Sequence, residues 1–290
     1  MNAPATARVV QRLPPASFFV VSAVFHYFGP ALAVLLFARV APLGVAWLRV
    51  AAAAAVFAVW RRPWRVLRRA GPSQRWAIVA LGAVLAAMNC LFYLALDRLP
   101  LATVGAIEFL GPVALAAAGA RTRRNLLALL LAVGGALMLT QVRFGGAPLG
   151  FVFAFLNCAG FVLYVVLGHR VATTGDGILG GVDQLGAAML VAAVAVTPFT
   201  VWAAAPAFTH PYWLIGGVAV GVCSSVVPYV TDQFAMARLP RPTYALMLAL
   251  LPATAAVVGL VVLAQVPTMR EVAGIALVIA GVAVHRQAEA

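Results

Sequence analysis

The sequence predicts an all-α membrane protein with ten transmembrane helices, arranged as two inverted five-helix repeats. Hydrophobic residues make up 64% of the 290-residue chain and charged residues only 9%, a composition outside the range of soluble domains. The apolar runs are continuous rather than alternating, which favours helices over a strand barrel. One segment of the chain also recurs at a constant spacing, which indicates a duplicated unit.

Ten apolar runs are long enough to cross a hydrocarbon core of ~30 Å, which takes about 20 helical residues. Tryptophans near the predicted ends of these runs are typical of anchors at the headgroup boundary. They are Trp60, Trp64, Trp76, Trp202 and Trp213. The runs begin near Ala16, Leu43, Arg75, Pro100, Asn125, Leu149, Gly181, Tyr212, Thr243 and Val272.

The repeated segment lies at Ala95–Gly119 and again at Ala235–Gly259. Within it, Arg98-Leu99-Pro100 corresponds to Arg238-Leu239-Pro240. Five spans per unit is an odd number, so the second unit would be inverted in the bilayer. We therefore expect one repeat at residues 1–146 and the other at residues 147–290.

The basic residues predict the orientation, because cytoplasmic loops collect Lys and Arg. With the N-terminus inside, fifteen arginines fall on the cytoplasmic side and four outside. This bias predicts a multi-pass protein of the bacterial cytoplasmic (inner or plasma) membrane with both termini in the cytoplasm. The net charge of +13 is then a consequence of topology, and we expect no nucleic-acid partner.

Several function classes lack their motifs. The sequence contains neither a phosphate-binding loop nor a dinucleotide fingerprint, and Cys90, Cys158 and Cys223 lack metal-ligand spacing. We expect no cofactor, no metal and no enzymatic activity, with an intramembrane enzyme acting on lipid-linked substrates as the remote alternative. The expected partners are a small-molecule substrate and membrane lipids, for a monomer or a homodimer.

Three ionisable residues fall inside the predicted spans, where charge is costly enough to indicate function. They are Arg49, Glu108 and Asp232. Glu108 precedes the Gly111-Pro112 pair, which should loosen its helix. It would receive a substrate ammonium group or carry a proton; the alternative is a buried neutral carboxyl that holds helices together.

Arg49 could recognise a carboxylate through its bidentate fork, snorkel outward, or form a salt bridge with Glu108. Asp232 is a gating or proton-coupling candidate, and an ion pair with Arg238 or Arg241 is the favoured interpretation over substrate contact. For Arg49, the sequence alone does not select among these three interpretations.

Uncharged polar residues add hydrogen-bonding capacity within the spans. We expect Asn89, Tyr93 and Tyr229 to line the substrate route, whereas His26 would either relay protons or make a structural hydrogen bond. Pro228 can break backbone pairing and shape a cavity or a hinge.

Short motifs surround these residues: Leu48-Arg49, Met88-Asn89, Leu91-Phe92-Tyr93, Glu108-Phe109, Gly111-Pro112, Pro228-Tyr229 and Arg238-Leu239-Pro240. Together they resemble motifs of the bacterial threonine and homoserine exporters, which belong to the EamA-type drug/metabolite transporters. The resemblance covers nearly the whole chain and implies ten helices in two inverted repeats, a central path and proton-driven export of small amino acids. The chain departs from the family pattern at Leu251 and at Ala264-Gln265, where acids are usual.

The resulting prediction is a secondary transporter that exports a threonine- or homoserine-like solute while its inverted halves rock about the route. Glu108 would meet the amine, and Arg49 would meet the carboxylate or balance Glu108. The alternative cargo is a hydrophobic drug or an aromatic metabolite, which the apolar interior would accept without charge recognition.

Overall fold

The structure is a computed structural model. It describes residues 13–99, 104–105, 107–108, 110–111, 115, 122–139, 148–174, 180–248, 251, 254 and 268–284. Its elements over these residues are helical, and no described residue lies in a strand, which confirms the all-α class.

Twelve α-helices are described, and two irregular turns extend them. A 3₁₀ turn, Val201–Ala204, joins α7 to α8, and a π-helical turn, Val222–Val226, joins α9 to α10. The helices are α1 (Pro15–Phe37), α2 (Pro42–Arg61), α3 (Trp64–Arg69), α4 (Pro72–Leu96), α5 (Arg123–Leu139), α6 (Pro148–Thr174), α7 (Gly180–Thr200), α8 (Ala205–Thr209), α9 (Pro211–Gly221), α10 (Val227–Met236), α11 (Arg241–Met247) and α12 (Met269–Val284).

Six described segments are long and apolar enough to cross a membrane. Four are single helices, α1, α2, α4 and α6. The other two are composite, because the 3₁₀ turn continues α7 to Thr209 and the π turn continues α9 to Met236. Their mean hydropathy lies between 1.7 and 2.2, so the chain is a multi-pass membrane protein.

Prolines explain where most of these segments begin. Proline lacks the N–H that a first helical turn cannot pair, and its fixed φ suits a helix start. Five of the six segments begin at a proline: Pro15, Pro42, Pro72, Pro148 and Pro211.

The predicted span starts agree with the described helices. Nine of the ten lie within three residues of an observed helix start. The one remaining predicted start, Pro100, lies outside the described residues, as does Pro112, which is expected to loosen the helix of Glu108. Helices α5 and α12 have 17 and 16 residues, so six spans are established and the count of ten stays a prediction.

The five tryptophans lie at helix ends, as predicted. Trp60 is the penultimate residue of α2, Trp64 begins α3, and Trp202 lies in the 3₁₀ turn that follows α7. Trp76 is the fifth residue of α4, and Trp213 is the third residue of α9.

The chain forms two compact units. Unit 1 contains Met1–Cys90 and Leu163–Leu239, and unit 2 contains Leu91–Val162 and Pro240–Ala290. Each unit therefore takes residues from both predicted repeats. This grouping leaves the repeat boundaries at residues 1–146 and 147–290 as a prediction.

Within unit 1, glycines allow helices to approach closely. Small residues are common at such contacts in membranes, because the hydrophobic effect does not drive helix association in lipid. A Cβ at Gly82 of α4 would lie 2.7 Å from the Ala188 carbonyl oxygen of α7. A Cβ at Gly217 of α9 would lie 2.7 Å from a methyl carbon of Leu48 in α2. Helix α2 also donates from Trp47 Nε1 to Thr197 Oγ1 of α7 at 2.9 Å.

Within unit 2, helices α5 and α12 are joined at one end by a hydrogen bond. Arg124 of α5 donates from Nε to the backbone carbonyl of Val284, the last residue of α12, at 2.6 Å. The carbonyls of a helix C-terminus have no intrahelical partner, so this arginine supplies one.

We expect Gly44→Ala to lower the free energy of unfolding by about 1–3 kcal/mol, the usual cost of overpacking a tight contact. Gly44 of α2 lies against the backbone of Ala203, and a Cβ there would overlap the Ala203 carbonyl group. Unfolding in mixed micelles measures the effect. The control is Gly71→Ala, because no described atom would lie within 4 Å of its Cβ; equal stability of the two variants would contradict the packing.

Candidate functional site

Unit 1 contains a buried arginine that is held by the π turn. Arg49 of α2 is 5% exposed. Its Nε donates to Ser225 Oγ at 2.7 Å, and its Nη2 donates to the Ser224 carbonyl at 2.7 Å and to the Tyr229 hydroxyl at 3.2 Å. The guanidinium carbon also lies 5.9 Å from the centroid of the Tyr229 ring. Arg49 therefore points into the protein and does not snorkel outward.

Pro228 explains why an acceptor is available to Arg49 at this point. In an α-helix the N–H of residue 228 would donate to the carbonyl of Ser224, four residues earlier, but proline has no N–H. The helix widens into the π turn just before Pro228, as helices do at inserted irregularities. The Ser224 carbonyl accepts from Arg49, as expected at a carbonyl that Pro228 cannot pair.

Gly29 lets α1 approach the same turn. A Cβ at this position would overlap the Ser224 side chain, and it would lie 2.9 Å from the Ser224 Cα. Any larger residue would push α1 away from the π turn. The turn is thus confined by α1 on one side and by Arg49 of α2 on another.

A chain of aromatic and acidic residues continues from Arg49. The Tyr229 ring lies 5.2 Å from the Tyr164 ring, centroid to centroid, and the Tyr164 hydroxyl donates to Asp232 Oδ2 at 2.9 Å. Both tyrosines are fully buried, and Asp232 is 4% exposed. We call Arg49, Ser224, Ser225, Tyr229, Tyr164 and Asp232 the arginine cluster.

The structure brings together three residues that the sequence singled out, Arg49, Tyr229 and Asp232. For Asp232 the partner shown is Tyr164, and Arg238 donates to the Leu13 carbonyl at 2.9 Å. The ion pair of Asp232 with Arg238 or Arg241 stays a prediction.

We expect Tyr164→Phe to lower the free energy of unfolding by about 1–2 kcal/mol, because a buried carboxyl group loses a hydrogen-bond donor. The ring contact with Tyr229 survives the change. Chemical unfolding in micelles measures the difference, with Tyr212→Phe as control because Tyr212 is 84% exposed. Unchanged stability, or simple additivity with Asp232→Ala, would show that the bond contributes nothing.

Unit 2 contains a buried carboxylate with an amide partner. Glu108 is 8% exposed, and its Oε1 accepts a hydrogen bond from Asn157 Nδ2 of α6 at 2.9 Å. Gly111, one turn later, makes the close approach possible, since its Cβ would lie 2.6 Å from Val162 and 3.3 Å from the Cys158 carbonyl oxygen. We call Glu108 and Asn157 the glutamate pair.

The Asn157 amide is neutral. Its hydrogen bond therefore fixes the Glu108 side chain without contributing an opposite charge. A carboxylate of this kind can receive an ammonium group or a proton. This arrangement agrees with both interpretations of Glu108, the binding of an amine or a proton and the tethering of helices.

The remaining candidates make more local contacts. Asn89 is 1% exposed and donates to the Leu85 carbonyl of its own helix at 2.7 Å. Tyr93 is fully buried, with its ring 5.5 Å from that of Phe92. His26 is half-buried, with its ring 6.0 Å from that of Tyr27. Their roles in substrate lining and proton relay stay predictions.

Four site residues were missed from the sequence: Tyr164, Ser224, Ser225 and Asn157. Serine, tyrosine and asparagine are common in helices, so their types alone carry little signal. Pro228 was the available clue for Ser224, because a proline identifies the carbonyl four residues earlier as unpaired. Among the described residues, no group of three His, Cys, Asp or Glu residues could hold a metal ion.

Six long apolar segments define a multi-pass helical membrane protein, and buried ionisable side chains such as Arg49 and Glu108 are typical of membrane transporters. The chain is 31% identical over 259 residues to the threonine/homoserine exporter RhtA of Salmonella typhimurium. This alignment covers 87% of the present chain and 84% of the relative. The chain is 29% identical over 262 residues to RhtA of Escherichia coli strain K12, with the same coverage. The chain therefore belongs to the RhtA family of threonine/homoserine exporters.

The fold has also been seen in a solved structure. A chain described as "Crystal structure of protein" matches with a TM-score of 0.65 and 20% identity, over 93% of this chain and 96% of that chain. No family model matches the chain.

Proposed function

We propose that this protein is a secondary transporter that exports threonine, homoserine or a closely similar amino acid across the bacterial cytoplasmic membrane, coupled to protons. The exporters named above support the cargo class. The observation that carries the proposal is Glu108, a buried acid that accepts a hydrogen bond from the neutral amide of Asn157.

In this proposal Glu108 receives the amine of the substrate, and Asn157 is a positioning residue that fixes the carboxylate. Hydrogen bonds of charged groups are worth about 1.5–3 kcal/mol each, enough to select an amine over an uncharged analogue. The arginine cluster of unit 1 is proposed as a second functional group of residues, with Asp232 as the proton-coupling or gating candidate.

The same proposal includes ten spans, two inverted repeats and both termini in the cytoplasm. Nine described helix starts near predicted span starts support the count, and the arginine distribution supports the orientation. The orientation of the termini is tested by labelling single cysteines introduced at Arg12 and Arg286, in intact cells and in inverted vesicles. Both sites should react with an impermeant reagent only in inverted vesicles; reaction of either in intact cells would refute the orientation.

Counterflow in proteoliposomes tests the cargo without requiring a gradient. Vesicles that contain the purified protein are loaded with unlabelled threonine, and entry of labelled threonine is followed against protein-free vesicles. Homoserine should compete, whereas ethidium, a hydrophobic cation, should not. Exchange of ethidium without exchange of threonine would overturn the amino-acid assignment in favour of hydrophobic cargo.

A further inference from the structure

A cavity of about 410 Å³ lies in unit 1 where α2 ends and the short helix α3 begins. Its volume lies within the range of small-molecule sites, roughly 300–1,000 Å³. The residues that matter here are four arginines, one tryptophan and one acid: Arg61, Arg62, Arg65, Arg69, Trp60 and Asp183. None of them belongs to the arginine cluster or the glutamate pair.

The lining carries a net charge of +3, from four arginines and one aspartate. The aspartate is already engaged, because Asp183 Oδ1 accepts from Arg61 Nε at 2.5 Å. Asp183 also lies in the first turn of α7, where a carboxylate is favoured by the helix dipole. Arg62, Arg65 and Arg69 are exposed, so their guanidinium groups remain accessible to an anion.

Arg62 has a backbone conformation that is unfavourable for its residue type. It caps α2 with φ 51° and ψ 59°, the left-handed conformation that glycine adopts most easily at a helix end. A non-glycine residue there is strained, because its Cβ lies too close to the following carbonyl oxygen. This turn directs the chain from α2 into α3, and both ends of the turn contribute arginines to the cavity.

The surroundings of the cavity are those of a membrane interface. Val59 of α2 is 86% exposed, and Trp60 and Trp64 are 47% and 41% exposed. Apolar and indole surface next to guanidinium groups is typical of the headgroup boundary, where arginine stems lie along apolar surface. The arginine distribution predicts that this is the cytoplasmic boundary.

We propose that this cavity binds the phosphodiester headgroup of an anionic membrane lipid such as phosphatidylglycerol. Arginine binds phosphate oxygens through two parallel N–H donors, and basic pockets on the cytoplasmic side of membrane proteins suit anionic headgroups. Free phosphate offers the same chemistry, but the exposed Val59, Trp60 and Trp64 favour a ligand with acyl chains.

Native mass spectrometry of the purified full-length chain tests the proposal. The protein is equilibrated in detergent with equal amounts of phosphatidylglycerol and phosphatidylcholine, and retained lipid is counted. We expect the protein to retain phosphatidylglycerol in preference to phosphatidylcholine. Removal of each lining arginine should reduce this retention about fivefold, so Arg65→Gln/Arg69→Gln should reduce it more than tenfold.

Matched variants separate a site from diffuse charge. Arg68→Gln removes an exposed arginine of the same helix that is absent from the described lining, and we expect less than a twofold change. Arg123→Gln/Arg241→Gln removes two exposed arginines of unit 2 that are absent from the described lining and should also have little effect. Equal losses in Arg68→Gln and Arg69→Gln, or no loss in the double variant, would overturn the site.

Inorganic phosphate distinguishes the two possible sources of the ligand. Millimolar phosphate should leave lipid retention unchanged if acyl chains contribute. Complete displacement by phosphate, without a preference for phosphatidylglycerol, would overturn the lipid assignment. The measured quantity is lipid retention, so failure of the lipid proposal is independent of the proposed cargo. If the double variant unfolds, the single variant Arg69→Gln is measured in its place.

Discussion

Arg49→Lys is expected to lower the free energy of unfolding by about 3 kcal/mol. The arginine donates to three acceptors on two sides of its fork, Ser225 Oγ, the Ser224 carbonyl and the Tyr229 hydroxyl. A lysine ammonium is a single point and cannot reach all three. Each buried acceptor that loses its donor costs about 1–3 kcal/mol.

Unfolding in mixed micelles measures this loss, and Arg39→Lys is the matched control. Arg39 is exposed in the same unit, so its change should stay within about 0.5 kcal/mol. A double-mutant cycle of Arg49→Lys with Ser225→Ala should give a coupling energy of about 1 kcal/mol or more. If Arg49→Lys unfolds like the wild type, the cluster does not depend on the arginine fork.

The structure of the π turn gives Arg49→Lys a second expected effect. Without the guanidinium donor, the Ser224 carbonyl loses a partner next to Pro228, and the wide turn loses the contact that holds it against α2. We therefore expect faster hydrogen exchange at residues 222–229 in Arg49→Lys than in Arg39→Lys. Unchanged exchange at these residues would show that other contacts hold the turn.

Glu108→Gln is expected to reduce threonine counterflow by about 10–100-fold, the loss of one hydrogen bond to a charged group. Glutamine keeps the size of the side chain, and its carbonyl oxygen can still accept from Asn157. The protein should therefore fold to wild-type levels while it loses the negative charge that receives the amine.

Asp97→Asn is the matched control for Glu108→Gln. Asp97 is an exposed acid of the same unit, and it pairs with Arg98 at 3.1 Å. We expect wild-type counterflow from this variant. Normal counterflow in Glu108→Gln would leave the carboxyl with a helix-tethering role and would remove the amine-binding proposal.

The sequence predicts the spans well because their signals are local. Proline at a helix start and a run of apolar residues are both read within one segment, and the observed starts at Pro42, Pro148 and Pro211 follow them closely. The buried charges Arg49 and Glu108 are equally conspicuous, because ionisable residues are rare within apolar runs.

The partners of these charges could not be predicted, because they lie far away along the chain. Arg49 and Ser225 are 176 residues apart, and Glu108 and Asn157 are 49 apart. Polar residues within helices have several possible partners, and only the packed fold selects one. Asn89 was equally conspicuous in the sequence, and its contact with its own helix at the Leu85 carbonyl leaves its role in the route a prediction.

The most direct test of the central claim is uptake of labelled threonine and homoserine into inside-out vesicles, with and without an imposed proton gradient. Wild-type protein should accumulate both amino acids only when the gradient is present, and Glu108→Gln at equal protein level should not. Equal uptake by the two proteins, or no uptake by wild-type protein that is folded and present in the vesicles, would contradict proton-linked amino-acid export through Glu108.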